Sequence, residues 1–251
     1  MKHIYISMGL NIGLMIRKKN ILGTELTLYR LHEALEKTRF FSDNGTLNTI
    51  QYISVRMLTQ ASRSDEYRSV LESMDLVFCA ETDILRAAGI SSRSRLYEIE
   101  KSLYFKEFCK MIQDRKLQVY ALTDTPEHQI TLQDFLSMQL ESTAFTTHLM
   151  DVDKCRAEKT ALEILANEIN EVAPAIILSW LPLPYQMQLM QELKPYLNAT
   201  IWLGLPPEIT MLLPSRSRSF LLFRHLKQRL FQKRVDHYQN ASESEPPHSA
   251  S

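Results

Sequence analysis

Glycine is scarce in this chain, with six in 251 residues. Few positions can therefore bring bare backbone N–H groups close to a ligand's phosphates, and a glycine-rich phosphate loop is not in evidence. Cysteine is sparse too. Cys79, Cys109 and Cys155 show no metal-ligand spacing and make no even set. That excludes a disulfide framework and a cysteine-held metal, and predicts reduced, buried thiols in a cytosolic protein. No apolar run reaches the roughly 18 residues of a membrane-spanning helix. Net charge is absent as well: 29 Lys and Arg balance 29 Asp and Glu. The overall balance thus selects no partner. There is no internal repeat, no basic platform interleaved with aromatics and no helix-turn-helix pattern, so nucleic acid is not an expected partner. No metal and no cofactor are expected.

The neutral total hides an uneven distribution. Between Ser215 and Tyr238 stand seven basic residues (Arg216, Arg218, Arg224, Lys227, Arg229, Lys233, Arg234) against Asp236, which leaves the rest of the chain net acidic by six. Within this arm Phe223, Leu226 and Leu230 share a helical face. Such a basic amphipathic helix suits an anionic bilayer surface, or it packs its apolar stripe on the body and solvates its charges. The segment Asn240–Ser251 is low in complexity and reads as a disordered tail.

Short apolar runs recur at Ile4–Ser7, Leu47–Ile53, Leu76–Cys79, Leu117–Leu122, Phe145–Leu149, Ala175–Leu181 and Thr200–Leu205. Most lack polar alternation, as strands buried on both faces do. The first belongs to MKHIYISMGLNIGLMIRKKN, whose apolar part is broken by His3, Ser7 and Asn11 and followed by basic residues; it reads as a strand rather than a signal sequence. Helical periodicity lies between the runs. Leu28, Leu31 and Leu35 mark a helix over Thr24–Lys37, Phe105, Cys109 and Ile112 a second, and Leu162, Leu165 and Ile169 a third. The segment Pro174–Pro207 reads as strand, Pro-x-Pro-x-Gln turn, crossover helix, strand. The alternation predicts an α/β fold: an open, mostly parallel, Rossmann-like sheet flanked by helices, over residues 1–214, followed by a basic amphipathic C-terminal arm (215–239) and a disordered tail (240–251).

In such sheets chemistry gathers at the carboxyl ends of strands. Candidates are Pro184 and Gln186 in the turn after the strand ending at Leu181, Glu81 and Asp83 after Leu76–Cys79, and Asp124 and Glu127 after Leu117–Leu122. Thr46 and Asn48 sit where the run Leu47–Ile53 follows the turn Asp43-Asn44-Gly45. Each set also has an ordinary reading: Pro-initiated helix, N-cap and first-turn acids, or turn chemistry closing on itself.

In chain order these segments resemble the WecG/TagA/CpsF family of bacterial glycosyltransferases, from about Thr24 to Tyr238. Thr46-x-Asn48 is similar to its Thr-x-Asn motif. Met74-Asp75-Leu76-Val77 is similar to its Ala-Asp-Leu-Val strand ahead of an acid–glycine turn. Pro126-Glu127 matches the end of its Gly-Gly-x-Pro-Glu loop. Pro182–Met187 stands where it has Gly-Ser-Pro-Lys-Gln-Glu, and Gly204–Pro207 where it has Gly-Val-Gly-Gly. The resemblance implies transfer of an N-acetylhexosamine, typically N-acetylmannosamine, from a UDP-sugar donor to a GlcNAc carried on a polyprenyl diphosphate. It also implies a cytoplasmic enzyme peripheral at the inner membrane face, with room for an oligomer. Carried over residue by residue, it makes Glu81 (or Asp83) the catalytic base. Thr46, Asn48, Pro184 and Gln186 would line the substrate pocket, and Arg216, Arg218 and Arg224 would approach the lipid diphosphate.

The departures are as informative. Without a gap the family's catalytic Asp falls on Ala80 and its Gly on Glu81; a shift of one lets Glu81 serve. The Gly-Gly loop has become Thr123-Asp124, and the closing Gly-Gly has become Pro206-Pro207. Proline has no N–H to offer a diphosphate, and a carboxylate at Asp124 repels one. An inactive relative serving as partner or scaffold in the same pathway is the alternative expectation.

Overall fold

The computed structural model describes residues 18–140, 143–206 and 235–236. In chain order it runs β1 (Lys18–Ile21), β2 (Thr24–Thr27), α1 (Leu31–Asp43), β3 (Asn48–Ile53), α2 (Val55–Ala61), α3 (Asp65–Glu72), β4 (Leu76–Cys79), α4 (Thr82–Ala87), α5 (Arg93–Glu100) and α6 (Leu103–Arg115). It continues through β5 (Val119–Thr123), α7 (Pro126–Gln139), β6 (Phe145–Leu149), α8 (Val152–Ala157), α9 (Lys159–Val172), β7 (Ile176–Trp180), α10 (Tyr185–Leu193), a short 3-10 turn at Lys194–Tyr196 and β8 (Ile201–Gly204). Six strands form one parallel sheet in the order β4-β3-β8-β7-β5-β6. The expected open α/β architecture is therefore present, and six of the anticipated runs are its strands within a residue or two.

The reason is burial. Every residue of β3, β5, β7 and β8 is buried, which favours apolar or internally bonded side chains on both faces. Right-handed crossovers then fix which face each helix takes. The leftward connections (α2–α3, α8–α9, α10) share one face, where Gln188 of α10 bonds Glu66 of α3 and Asn170 of α9 bonds the carbonyl of Tyr196. The rightward connections (α4–α6, α7) take the other, joined by α1. There Tyr52 and Phe78 of the sheet pack on Tyr104 and Phe105 of α6, and Phe105 meets Phe135 of α7. The Tyr104 hydroxyl lies 2.7 Å from that of Thr38 in α1, a buried polar pair in this aromatic cluster.

One expected helix is corrected. Thr24–Lys37 is not one helix: Thr24–Thr27 is a strand, and the helix starts at Leu31. Leu22 and Gly23 take positive φ (54° and 82°), the geometry of a tight hairpin turn, and Asn20 Oδ1 accepts from Gly23 N at 3.0 Å. Thr24 and Leu26 then face inward while Glu25 is exposed, a period of two that the leucine spacing masked. The run Ile4–Ser7 lies outside the described residues. Of the basic arm only Val235 and Asp236 are described; Val235 is buried against the body. Among the described residues no helix is long and apolar enough to cross a membrane. Burial also pushes the thiols of Cys79 and Cys109 up to about 12, so these free cysteines stay protonated at neutral pH.

Candidate active site

The outgoing connections of neighbouring strands leave on opposite faces between β4 and β3, between β7 and β5, and between β5 and the edge strand β6; the first two places hold the groups described below. Each such switch opens a crevice beyond the carboxyl ends of the strands, the usual seat of ligands in open α/β sheets.

At the first crevice Ala80 N donates to Ile53 O at 2.8 Å, which extends the ladder by one residue. Glu81, next in the chain, turns toward β3, and its Oε1 accepts from Val55 N at 3.0 Å. Its carboxylate is thus anchored at the mouth of the crevice. Asp83 sits in the first turn of α4, where Arg86 Nη1 donates to its carboxylate at 3.0 Å and to the Thr82 hydroxyl at 2.8 Å. Asp83 is a helix-internal ion-pair partner, and Glu81 is the acid presented to the crevice.

The second crevice holds a group that sequence reasoning missed. Asp124 follows β5, and its Oδ1 lies 2.6 Å from His128 Nδ1. A carboxylate only accepts, so Nδ1 donates to it. The imidazole lies flat on the indole of Trp180, the last residue of β7, with centroids 3.8 Å apart and planes at 17°. Thr125 caps α7 by accepting from His128 N at 3.2 Å, so Asp124 is not needed as the cap. Nothing printed by sequence spacing joins His128 to Trp180; only the adjacency of β5 and β7 does. The signal available in the sequence was Asp124 and His128 four apart at a helix start.

Between the crevices, at the ends of β8 and β7, stands a buried glutamine knot. Gln186 Nε2 donates to Gln51 Oε1 at 3.1 Å and to Leu205 O at 3.0 Å, and its Oε1 accepts from Leu181 N at 3.0 Å. Gln51 Nε2 donates to the carbonyls of Tyr52 (2.8 Å) and Gly204 (3.1 Å). Gly204 has to be glycine because a Cβ there would lie 2.2 Å from Gln51 Oε1 and 2.7 Å from Gln186 Nε2. Gln186 was expected to line a substrate pocket. The structure corrects this: it is fully buried, both its N–H groups and its carbonyl are engaged, and it holds the turn shut.

Thr46 and Asn48 are corrected as well. Asn48 is the first residue of β3, and a six-residue strand separates it from the carboxyl edge by about 17 Å. There Asn48 Nδ2 donates to Asn44 Oδ1 (3.0 Å), Thr46 O (2.6 Å) and Thr200 O (3.2 Å), while Thr46 Oγ1 donates to Asn44 Oδ1 at 3.1 Å. This is turn chemistry at the amino edge. The residues β3 delivers to the carboxyl edge are Ser54, which caps α2 by accepting from Met57 N, and the exposed Arg56. Pro184, after a cis Leu183–Pro184 bond, borders an open cavity of about 290 Å³ with Gln60, Arg63, Tyr67, Val70 and Gln188. Arg216, Arg218 and Arg224 lie outside the described residues. Among the described residues no group of three or more His, Cys, Asp or Glu is placed to hold a metal ion.

The model of the Glycosyl transferase WecG/TagA/CpsF family matches residues 19–207. The chain belongs to this family. The matched range takes in the hairpin, the whole sheet and both crevices, and stops before the basic arm, so the family likeness is carried by the α/β body. No curated protein sequence matches the chain.

Proposed function

We propose that the protein transfers an N-acetylhexosamine from a UDP-sugar to a GlcNAc carried on a polyprenyl diphosphate, in the synthesis of a cell-surface polysaccharide. Glu81 is the base that takes the acceptor's proton. The observation that supports this reading is the place of Glu81 in a family member: it is the acid at the mouth of the β4/β3 crevice, one residue from where the family's acid–glycine turn falls. A base belongs within hydrogen-bond reach of the hydroxyl it serves, and the bond from Val55 N fixes where the Glu81 carboxylate sits. The basic arm brings the body to the anionic inner face of the membrane, where the lipid-linked acceptor resides.

The test is transfer from UDP-N-acetylhexosamine to a lipid-linked GlcNAc acceptor, comparing wild type with Glu81→Gln. A loss of 10²-fold or more in kcat is expected. Equal rates, or none in either, sink the proposal. In the full chain, replacing Arg216, Arg218 and Arg224 with Glu reduces sedimentation with phosphatidylglycerol vesicles; unchanged sedimentation removes the membrane role of the arm.

A second reading is favoured by the engagement of Gln186 and Asp83 in internal contacts. In it the protein is an inactive relative that keeps the fold and acts as partner or scaffold in the same pathway. Calorimetry with UDP and UDP-N-acetylhexosamines separates the two: saturable binding supports the enzyme, and none at millimolar ligand supports the scaffold.

A further inference from the structure

The two crevices are four strands apart at their outer strands, but the groups in them lean toward one another. Glu81 leans from β4 onto the residue after Ser54 at the end of β3. His128 leans from the β5 side onto Trp180 at the end of β7. Between β3 and β7 only β8 intervenes, so the strand ends that the two groups lean on are two strand spacings apart, about 10 Å. The floor between them, at the end of β8, is the buried glutamine knot, whose Gln51 and Gln186 amides fill the space beside Gly204.

The imidazole is fixed on two sides. Asp124 holds Nδ1, and the Trp180 ring fixes the plane. Nε2 has no hydrogen-bond partner among the described residues and is not among their buried unpartnered atoms. The side chain is 32% exposed, so its open edge is Nε2. A ring bonded through one nitrogen and stacked on its face presents the other nitrogen in a defined direction. The backbone around it has little to give an anion: Pro126 has no N–H, and that of His128 is taken by Thr125. Asp124, which the sequence suggested would repel a phosphate, is paired with the ring instead, while Glu127 points to solvent.

We infer that His128 is a further catalytic residue, which receives the departing nucleoside diphosphate through Nε2–H, with Asp124 as its positioning residue. The inference rests on the glycosyl-transfer reading and deepens it. In the step, the acceptor oxygen forms its bond to the anomeric carbon and its proton passes to the Glu81 carboxylate. The bond from the anomeric carbon to the diphosphate oxygen breaks, and its electron pair leaves on that oxygen. In the doubly protonated ring Nε2–H donates to this oxygen, and the Asp124 carboxylate balances the ring's charge. The imidazolium does there what backbone N–H groups do in a glycine loop.

The test is calorimetric titration of the full chain with UDP and with inorganic pyrophosphate, for wild type, His128→Ala, His128→Gln, Asp124→Asn and, as a control for loss of an imidazole elsewhere, His148→Gln. Thermal unfolding verifies that each variant folds. A group that grips the leaving diphosphate also grips UDP. We expect His128→Ala to weaken both ligands at least tenfold, Asp124→Asn to weaken them several-fold, and His148→Gln to leave them unchanged. In turnover, kcat of His128→Ala falls at least 10²-fold, and added imidazole restores part of it. UDP binding within twofold of wild type in folded His128→Ala and His128→Gln overturns the inference and leaves the glycosyl-transfer reading standing. So does a lost kcat that imidazole does not restore. No UDP binding by the wild type overturns both.

Discussion

The two edges of the sheet treat their polar groups differently. At the amino edge those around the starts of β3 and β4 are consumed. Asp75 Oδ2 accepts from Thr49 N (2.7 Å), Thr49 Oγ1 (2.9 Å) and Lys194 Nζ (2.6 Å), and Lys37 Nζ donates to the Asp75 carbonyl at 2.6 Å. Asn44, Thr46 and Asn48 close on one another beside it. At the carboxyl edge His128 is held by one end, bonded through Nδ1 and open at Nε2, while Val55 N at the end of β3 positions the Glu81 carboxylate. Bonding at both ends locks β3, β4 and the end of α10 together; for His128, bonding at one nitrogen positions the ring and leaves the other nitrogen for a ligand. The glutamine knot belongs with the amino edge in this respect although it lies at the carboxyl edge, which makes it the floor of the site rather than its lining.

The largest effect expected follows from breaking that floor. Gly204→Ala puts a Cβ 2.2 Å from Gln51 Oε1, and the knot has no slack because its partners are main-chain groups of β3, β7 and β8. A loss of about 3 kcal/mol is expected in urea unfolding, with UDP binding lost in the variant that does fold. Gln186→Ala removes the knot's centre and leaves Leu181 N, Leu205 O and Gln51 Oε1 buried without a partner. Its expected cost is about 2–3 kcal/mol. Were Gln186 a substrate ligand instead, the variant would unfold like wild type and lose only affinity.

Much of the fold was legible in the sequence, and the reason is physical. Parallel strands buried on both faces show as unbroken apolar runs, and Val119–Leu122 and Ile176–Leu178 could hardly be anything else. The hairpin was not legible. Its strands are four residues long, and Leu28, Leu31 and Leu35 supply a helical spacing across its end. Position at the carboxyl edge was legible where it follows from chain direction alone, as for Glu81 just past β4. It was misread at Thr46 and Asn48, which precede an apolar run and so belong at its amino end, whatever motif they match. It was invisible where strand order decides, since β7 lies beside β5 only because the β6 crossover returns past it.

Asp75 sharpens the comparison through pH. Burial works to raise its carboxyl, but hydrogen bonds from Lys194 and Thr49 outweigh this and hold it below the ordinary value of 3.8. A folded-state value below the unfolded one makes the charged form stabilising. The contribution is complete above the unfolded value of about 3.9 and is lost as pH falls through the folded one. Asp75→Asn is expected to cost about 1–2 kcal/mol at pH 7 and to flatten the loss of stability on acidification below pH 4. Because Asp75 lies at the amino edge, UDP affinity is unchanged at pH 7. A fall in affinity without a fall in stability would reverse the assignment of this edge.

The smallest effect is the most discriminating. Asn48→Ala removes a side-chain nitrogen whose two N–H groups are shared among three acceptors, all in the 44–48 turn or at Thr200 O before β8. Asn48 is largely buried and its partners are partly so, so about 1 kcal/mol of stability should go with it. Its distance from the carboxyl edge predicts that transfer rate and UDP affinity stay within twofold of wild type at a temperature where the variant is folded. The family likeness alone, reading Thr46-x-Asn48 as pocket residues, predicts the opposite: near-normal stability and a large loss of affinity. Urea unfolding and calorimetry on this one variant therefore separate an argument from matched letters from an argument from which end of a strand those letters occupy.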